Sequence, residues 1–200
     1  MTFHTPESLK EAARQEWARI QTLEQPLKPR DRMAIPAQEM PAQEPLVRAR
    51  NMKEVATGYF EDQARVEAER CLQCKNAPCI HGCPVSIDIP RFIKSLAEGD
   101  PAGAISVIKE KSLLPAVCGR VCPQETQCQA PCTVGKALKS VDKAVAIGRL
   151  ERYAADWERE NGAVTPPEVA PPTGKKVAVV GSGPAGLTVA ADVRRAGHEV

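Results

Sequence analysis

Eight cysteines in two tight groups constrain this 200-residue chain more than any other feature. The first group is Cys71, Cys74, Cys79 and Cys83, separated by two, four and three residues. The second is Cys118, Cys122, Cys128 and Cys132, separated by three, five and three. Pro84 follows Cys83 and Pro123 follows Cys122. Spacings this short put several thiols on one loop, wrapped around a small inorganic core. Structural zinc is one candidate, since two four-cysteine sites would use the same eight thiolates. Such sites pair one Cys-x2-Cys with another across a longer loop, and only Cys71 and Cys74 have that spacing. Bacterial ferredoxin runs end in Cys-Pro, where the last cysteine reaches the other cluster. The pattern therefore points to iron–sulfur ligation, with a zinc-stapled interaction module as the rival. His81 lies between Cys79 and Cys83 and is read as solvated or hydrogen-bonded to a sulfur, not as a ligand.

The use of the cysteines bears on compartment. The opening MTFHTPESLK has no apolar core of a secretion signal, so a cytoplasmic chain with reduced thiols is expected. No apolar run approaches the ~18–20 residues of a membrane helix. A net charge of +2 with 26% charged residues argues against a nucleic-acid binder. Aromatics make up only 4%, so the core must come from small aliphatics, supplemented by buried inorganic ligation.

The pass along the chain predicts mostly helix and loop before residue 175. Thr5 can cap a helix that Pro6 opens, with Leu9, Ala13, Trp17 and Ile20 along one stripe. Prolines 26, 29, 36, 41 and 45 prevent a long helix over 24–50, which reads as an extended arm on another surface. Helices are expected over Glu61–Leu72, Pro90–Ala97, Pro101–Lys109 (capped by Asp100) and Ser140–Arg159. Residues 161–174 read as a proline-rich linker. Composition then switches: a buried strand at Lys176–Val180, a glycine loop, a helix over Leu187–Ala196, and a second strand starting at His198.

That loop is Gly181, Ser182, Gly183, Pro184, Ala185 and Gly186. Between a strand and a helix, its Gly-x-Gly-x-x-Gly pattern is a dinucleotide fingerprint. The first glycine makes the turn, the second admits the pyrophosphate, and the third lets helix and strand pack. The acidic residue that would choose the nucleotide is expected ~20 residues further on. The sequence reaches Val200 before that point, and so reads as a larger protein cut short.

The segments CLQCKNAPCIHGCPVSIDIPRFI, LPAVCGRVCPQETQC, AIGRLERYAADW and VAVVGSGPAGL, in this order, resemble the family of the NADPH-dependent glutamate synthase small (beta) subunit. Its wider relatives include the amino-terminal part of dihydropyrimidine dehydrogenase and the large subunit of a ferredoxin:NADP oxidoreductase. The resemblance implies a mainly α fold. An amino-terminal helix and arm (1–50) would lead into an α-helical ferredoxin-like domain with two 4Fe–4S clusters (51–160). A linker (161–174) would follow, then the first β-α-β portion of a Rossmann-like FAD-binding domain (175–200). It implies crossed ligation, with Cys71, Cys74, Cys79 and Cys132 on one cluster. Cys83, Cys122, Cys128 and Glu151 would hold the other, and Cys118 would be spare, whereas spacing alone would use Cys118 in place of Glu151. It also implies FAD on the GSGPAG loop, NADPH as the parent's hydride donor, and a partner such as the glutamate synthase large subunit or another electron-accepting flavoprotein subunit. No side chain here reads as a general acid, base or nucleophile.

Overall fold

Proline opens most of the helices. A ring-locked φ suits the first turn, where the missing N–H has no partner to lose. In the computed structural model, which describes residues 3–162, 164 and 166–200, Pro stands in the first turn of eight helices. These are α1 (Pro6–Gln21), α2 (Pro29–Ala34), α3 (Pro45–Arg48), α5 (Pro78–Gly82), α6 (Ile89–Ala97), α7 (Pro101–Lys109), α8 (Pro115–Val121) and α11 (Pro184–Arg195). Three more helices lack it: α4 (Glu61–Glu69), α9 (Thr133–Ala137) and α10 (Ile147–Glu160). Thr5, Glu44, Asp88 and Asp100 cap α1, α3, α6 and α7 through side-chain oxygens that accept backbone N–H groups. Met1, Thr2, Ala163 and Thr165 lie outside the described residues, so the linker expected over 161–174 is described only in part.

The core sits between α4, α6, α7 and α10, and α8 lies along α10. Phe92, Ile93, Leu96, Ile108 and Leu150 are completely or almost completely buried there, and Cys71, Cys128 and Cys132 belong to the same cluster. A smaller cluster of Ile20, Leu27, Ile35 and Val66 fixes α1 and the arm onto α4. The arm is thus a docked segment carrying two short helices, extended between them over 35–44 apart from one antiparallel bridge, Ala42–Ala56.

Two ionic networks hold segments that carry cysteines. The fully buried Glu67 accepts from Arg70 Nη1 (2.6 Å), Ala146 N (2.8 Å) and Gln38 N (2.9 Å). Arg70 also donates to the carbonyls of Ile35, Lys143 and Ala144. The residue before Cys71 is therefore tied to the arm and to the approach to α10. On the other side, Arg120 of α8 donates to Asp156 of α10 at 2.7 Å and to Glu54 at 2.8 Å, and Arg152 joins the same two carboxylates.

Two expectations need correction. The long helix over 140–159 begins only at Ile147, because Val141–Lys143 forms a 3-10 turn and Ala144 is extended. The carbonyls of Lys143 and Ala144 are taken by Arg70, which the sequence pattern does not reveal. At the other end, the strands expected at 176–180 and 198–200 are reduced to one parallel bridge, Lys176–Glu199, with Val177 N donating to Glu199 O and Glu199 N to Lys175 O. Among the described residues there is no longer strand. Parallel strands depend on cover from both faces, and here Val180 is 98% exposed and α11 buries none of its residues.

Candidate iron–sulfur centre

The cysteines gather around the two ends of α5. Cys79 lies in its first turn, and Cys83 caps its last turn with extended backbone (φ −89°, ψ 122°), so the two leave the helix in different directions. Cys71 follows Arg70, the residue that caps the end of α4, and Cys132 is the residue before α9. Cys71, Cys74, Cys79 and Cys132 line one cavity, whose remaining walls include Leu72, Ile89, Ile93, Val134 and Ile147. The spacing-based first group is therefore divided: Cys132 faces this cavity and Cys83 does not.

Two thiols of this cavity, Cys71 and Cys79, are in the wrong environment to ionise alone. Burial, first of all, pushes Cys71 up to about 11 and Cys79 up to about 12, and the neighbouring thiolates add to both shifts. A metal centre reverses that logic, because its positive charge holds coordinating thiols deprotonated. Among the described residues no three His, Cys, Asp or Glu groups are close enough to share a single metal ion. The four thiols stand around a space instead.

Cys83, Cys118, Cys122, Cys128 and Glu151 form the second set. Burial pushes Cys122 up to about 11, followed by the effects of Cys118, Glu151 and Cys83. Cys128 rises to about 12 through burial, followed by Cys83 and Glu151. Cys122 and Cys128 thus both feel Cys83 and Glu151, and Cys118 lies beside Cys122. Glu151 is only 7% exposed, and burial lifts its carboxyl to about 7. Its Oε1 is buried without a hydrogen-bond partner, a situation that costs about 1–3 kcal/mol unless something outside the protein answers it. Cys118 has a neighbour of its own in Ser112, whose hydroxyl lies 3.9 Å from the sulfur. The donor sets fit two iron–sulfur clusters, one all-thiolate and one offering three thiols with either a carboxylate or a fourth thiol. His81 is exposed on α5.

The glycine loop keeps part of its expected geometry. Gly181 has φ +102°, and a Cβ on Gly186 would fall 2.3 Å from the Gly181 carbonyl, so these two positions require glycine. Gly183 precedes α11, with open space where its side chain would be. Ser182, Pro184 and Ala185 complete the turn. The loop thus turns tightly into the start of α11, without a sheet beside it among the described residues. Sequence reasoning missed Thr133, whose hydroxyl is 3.4 Å from the Cys74 sulfur. It also missed the Glu67–Arg70 pair. Neither belongs to a motif.

Thiol sets of this kind in a helical fold define an iron–sulfur protein of the electron-transfer class. Residues 48–163 match the family described as dihydropyrimidine dehydrogenase domain II, 4Fe-4S cluster, and the chain belongs to that family. The matched span holds all eight cysteines and Glu151 and ends before the glycine loop. The chain is 41% identical over 152 residues to the NAD-dependent dihydropyrimidine dehydrogenase subunit PreT of Escherichia coli K12, covering 74% of this chain and 35% of that protein. It is 36% identical over 165 residues to the glutamate synthase (NADPH) small chain of Azospirillum brasilense, covering 82% and 34% respectively. The E. coli K12 glutamate synthase (NADPH) small chain is 39% identical over 158 residues, covering 78% and 33%. The chain spans about a third of the length of these relatives. It is an iron–sulfur electron-transfer module related to oxidoreductase subunits. No helix among the described residues is long and apolar enough to cross a membrane.

Proposed function

We propose that the chain is the two-cluster relay of an FAD-dependent NADPH oxidoreductase of the glutamate synthase small-subunit kind. Cys71, Cys74, Cys79 and Cys132 would hold one 4Fe–4S cluster, and Cys83, Cys122, Cys128 and Glu151 the other. The observation that carries this reading is Glu151: a buried carboxyl with an unpartnered oxygen, near enough to Cys122 and Cys128 to act on both. Bound there, the clusters would supply single-electron carriage between a flavin reduced by NADPH and an acceptor in a partner subunit. The protein's own part is positional. Leu72, Ile89, Ile93 and Ile147 give the first set an apolar lining. The Arg70 network fixes the chain entering Cys71, and the Arg120–Asp156 pair fixes α8 against the helix that carries Glu151. The amides at the start of α11 would meet the FAD pyrophosphate.

Anaerobically produced protein should be brown and carry roughly eight irons per chain. Glu151→Ala should lose or degrade one cluster by iron counting and EPR, while Cys118→Ala keeps both. Loss of a cluster in Cys118→Ala with Glu151→Ala intact would hand the eighth ligand to Cys118. A colourless protein with stoichiometric zinc would sink the relay and support the zinc-stapled module. The 41% identity to the PreT subunit supports a second reading of the parent, with a pyrimidine-reducing partner. Reconstitution of the parent with each large subunit separates the two: NADPH-driven glutamate formation from 2-oxoglutarate in one case, pyrimidine reduction in the other.

A further inference from the structure

The wall of the first cavity is apolar apart from its four cysteines and one other side chain. Leu72, Ile89, Ile93, Val134, Val145 and Ile147 offer no hydrogen bond, whereas Thr133 places its hydroxyl 3.4 Å from the Cys74 sulfur. Thr133 is the residue after Cys132 and the first of α9. One hydroxyl therefore spans the two chain segments, 59 residues apart, that supply Cys74 and Cys132. Resting on the ligand set proposed above, we infer that Thr133 is a positioning residue that sets the reduction potential of the Cys71–Cys74–Cys79–Cys132 cluster. A metal-bound thiolate carries no proton, so in the loaded protein the hydroxyl must donate and the sulfur accept. Donation to a cluster sulfur favours the more negative, reduced form and raises the potential. Thr133 is exposed and backbone N–H groups of Gln73 and Cys79 also reach this set, but it is the one side-chain donor in the wall, and it acts on one of four sulfurs. The second set, Cys83, Cys122, Cys128 and Glu151, has no contact with Thr133 among the described residues, so the two clusters should respond differently.

Thr133→Val keeps the branched shape and removes the donor, and Thr133→Ser restores it. Potentiometric EPR titration of the cluster-loaded chain is the measurement. The expected result for Thr133→Val is a shift of one cluster's midpoint to more negative potential, with the other midpoint, the iron content and the thermal unfolding temperature unchanged. Thr133→Ser should return the shifted midpoint towards its original value. The inference is overturned if Thr133→Val leaves both midpoints in place, moves both alike, or is matched by Thr133→Ser. Cys74→Ala separates this inference from the ligand assignment. If it loses about half the iron while Thr133→Val leaves the midpoints unmoved, the ligand set stands and the inference fails. If Cys74→Ala keeps all the iron, both fall.

Discussion

Gly119 is the position where the smallest change should do the most selective damage. It lies in α8 where that helix runs against α10. A Cβ there would fall 2.7 Å from Arg152 N, 2.8 Å from Arg152 Cβ and 2.8 Å from Gly148 O. Ordinary contact begins at 3.4 Å, so α8 and α10 must part by roughly 0.7 Å in Gly119→Ala. Two of the three obstructing atoms are α10 backbone and cannot swing aside as a side chain would. Overpacking of this kind costs about 1–3 kcal/mol. At the middle of that range, about 2 kcal/mol, alanine recovers up to about 1 kcal/mol through its higher helix propensity, leaving a net loss of about 1–2 kcal/mol. The displacement falls on the second site, since Gly119 adjoins Cys118 and Arg152 adjoins Glu151. Anaerobic thermal unfolding should move down by about 2–8 °C, the range that loss implies for a chain of this size. Iron content should fall towards four per chain from about eight, with one EPR signal lost or broadened and the other unchanged. Full iron with an unmoved unfolding temperature would show that the α8–α10 contact does not position the second set. Loss of both signals together would show that the two sites are not separately held.

Other perturbations test the supports of the sites. Glu67→Gln removes the charge opposite the buried Arg70 and should cost about 3–5 kcal/mol in unfolding experiments on the loaded chain. Asp100→Ala removes the cap on Gly103 N at 2.8 Å and should cost about 1 kcal/mol by the same measurement. The hydrogen-bonded ion pair with Arg120 holds Glu54 below its ordinary range, against a smaller opposing effect of burial. A depressed carboxyl contributes stability above its unfolded value of 4.5 that is lost as pH falls through the folded value. Glu54→Gln should therefore narrow the stability difference between pH 7 and acid, by under about 1 kcal/mol for so exposed a group. Iron chelation under reducing conditions should lower helical circular dichroism, because Cys71, Cys128 and Cys132 are themselves part of the main core.

The helices were legible where local signals suffice. Thr5-Pro6 and Asp100-Pro101 begin α1 and α7 where cap and proline rules put them. The arm was legible as a proline-rich segment lying on another surface, but that Ile35 and Leu27 would be buried against Ile20 and Val66 depends on residues far away in sequence. The start of α10 was misread because a buried arginine takes the carbonyls just before it, and periodicity carries no trace of that. The strands near the glycine loop were read from apolar runs, which mark strands only when cover is present. The glycine positions themselves were legible, because φ +102° at Gly181 and the close approach at Gly186 are backbone requirements independent of a sheet.

Cysteine spacing groups the thiols by sequence neighbourhood, whereas the cavity beside α5 is lined by Cys132 together with Cys71, Cys74 and Cys79. A helix carried past Cys83 would put Cys79 and Cys83 on one face, four residues apart. Instead α5 ends at Gly82, and Cys83 turns out on extended backbone. Cys79 stays with Cys71, Cys74 and Cys132, while Cys83 acts on Cys122 and Cys128. Each set therefore takes thiols from both halves of the cysteine sequence, so neither can form from one loop alone. Five residues of helix span about 7 Å, and the two sets are attached at opposite ends of that span. With the proposed ligand sets, Cys79 and Cys83 would tie the two clusters to one short helix, so their separation should not vary with motion of the arm or the linker. A relay needs that fixed distance, whereas two independent zinc staples would not require their ligands to be shared across one short helix.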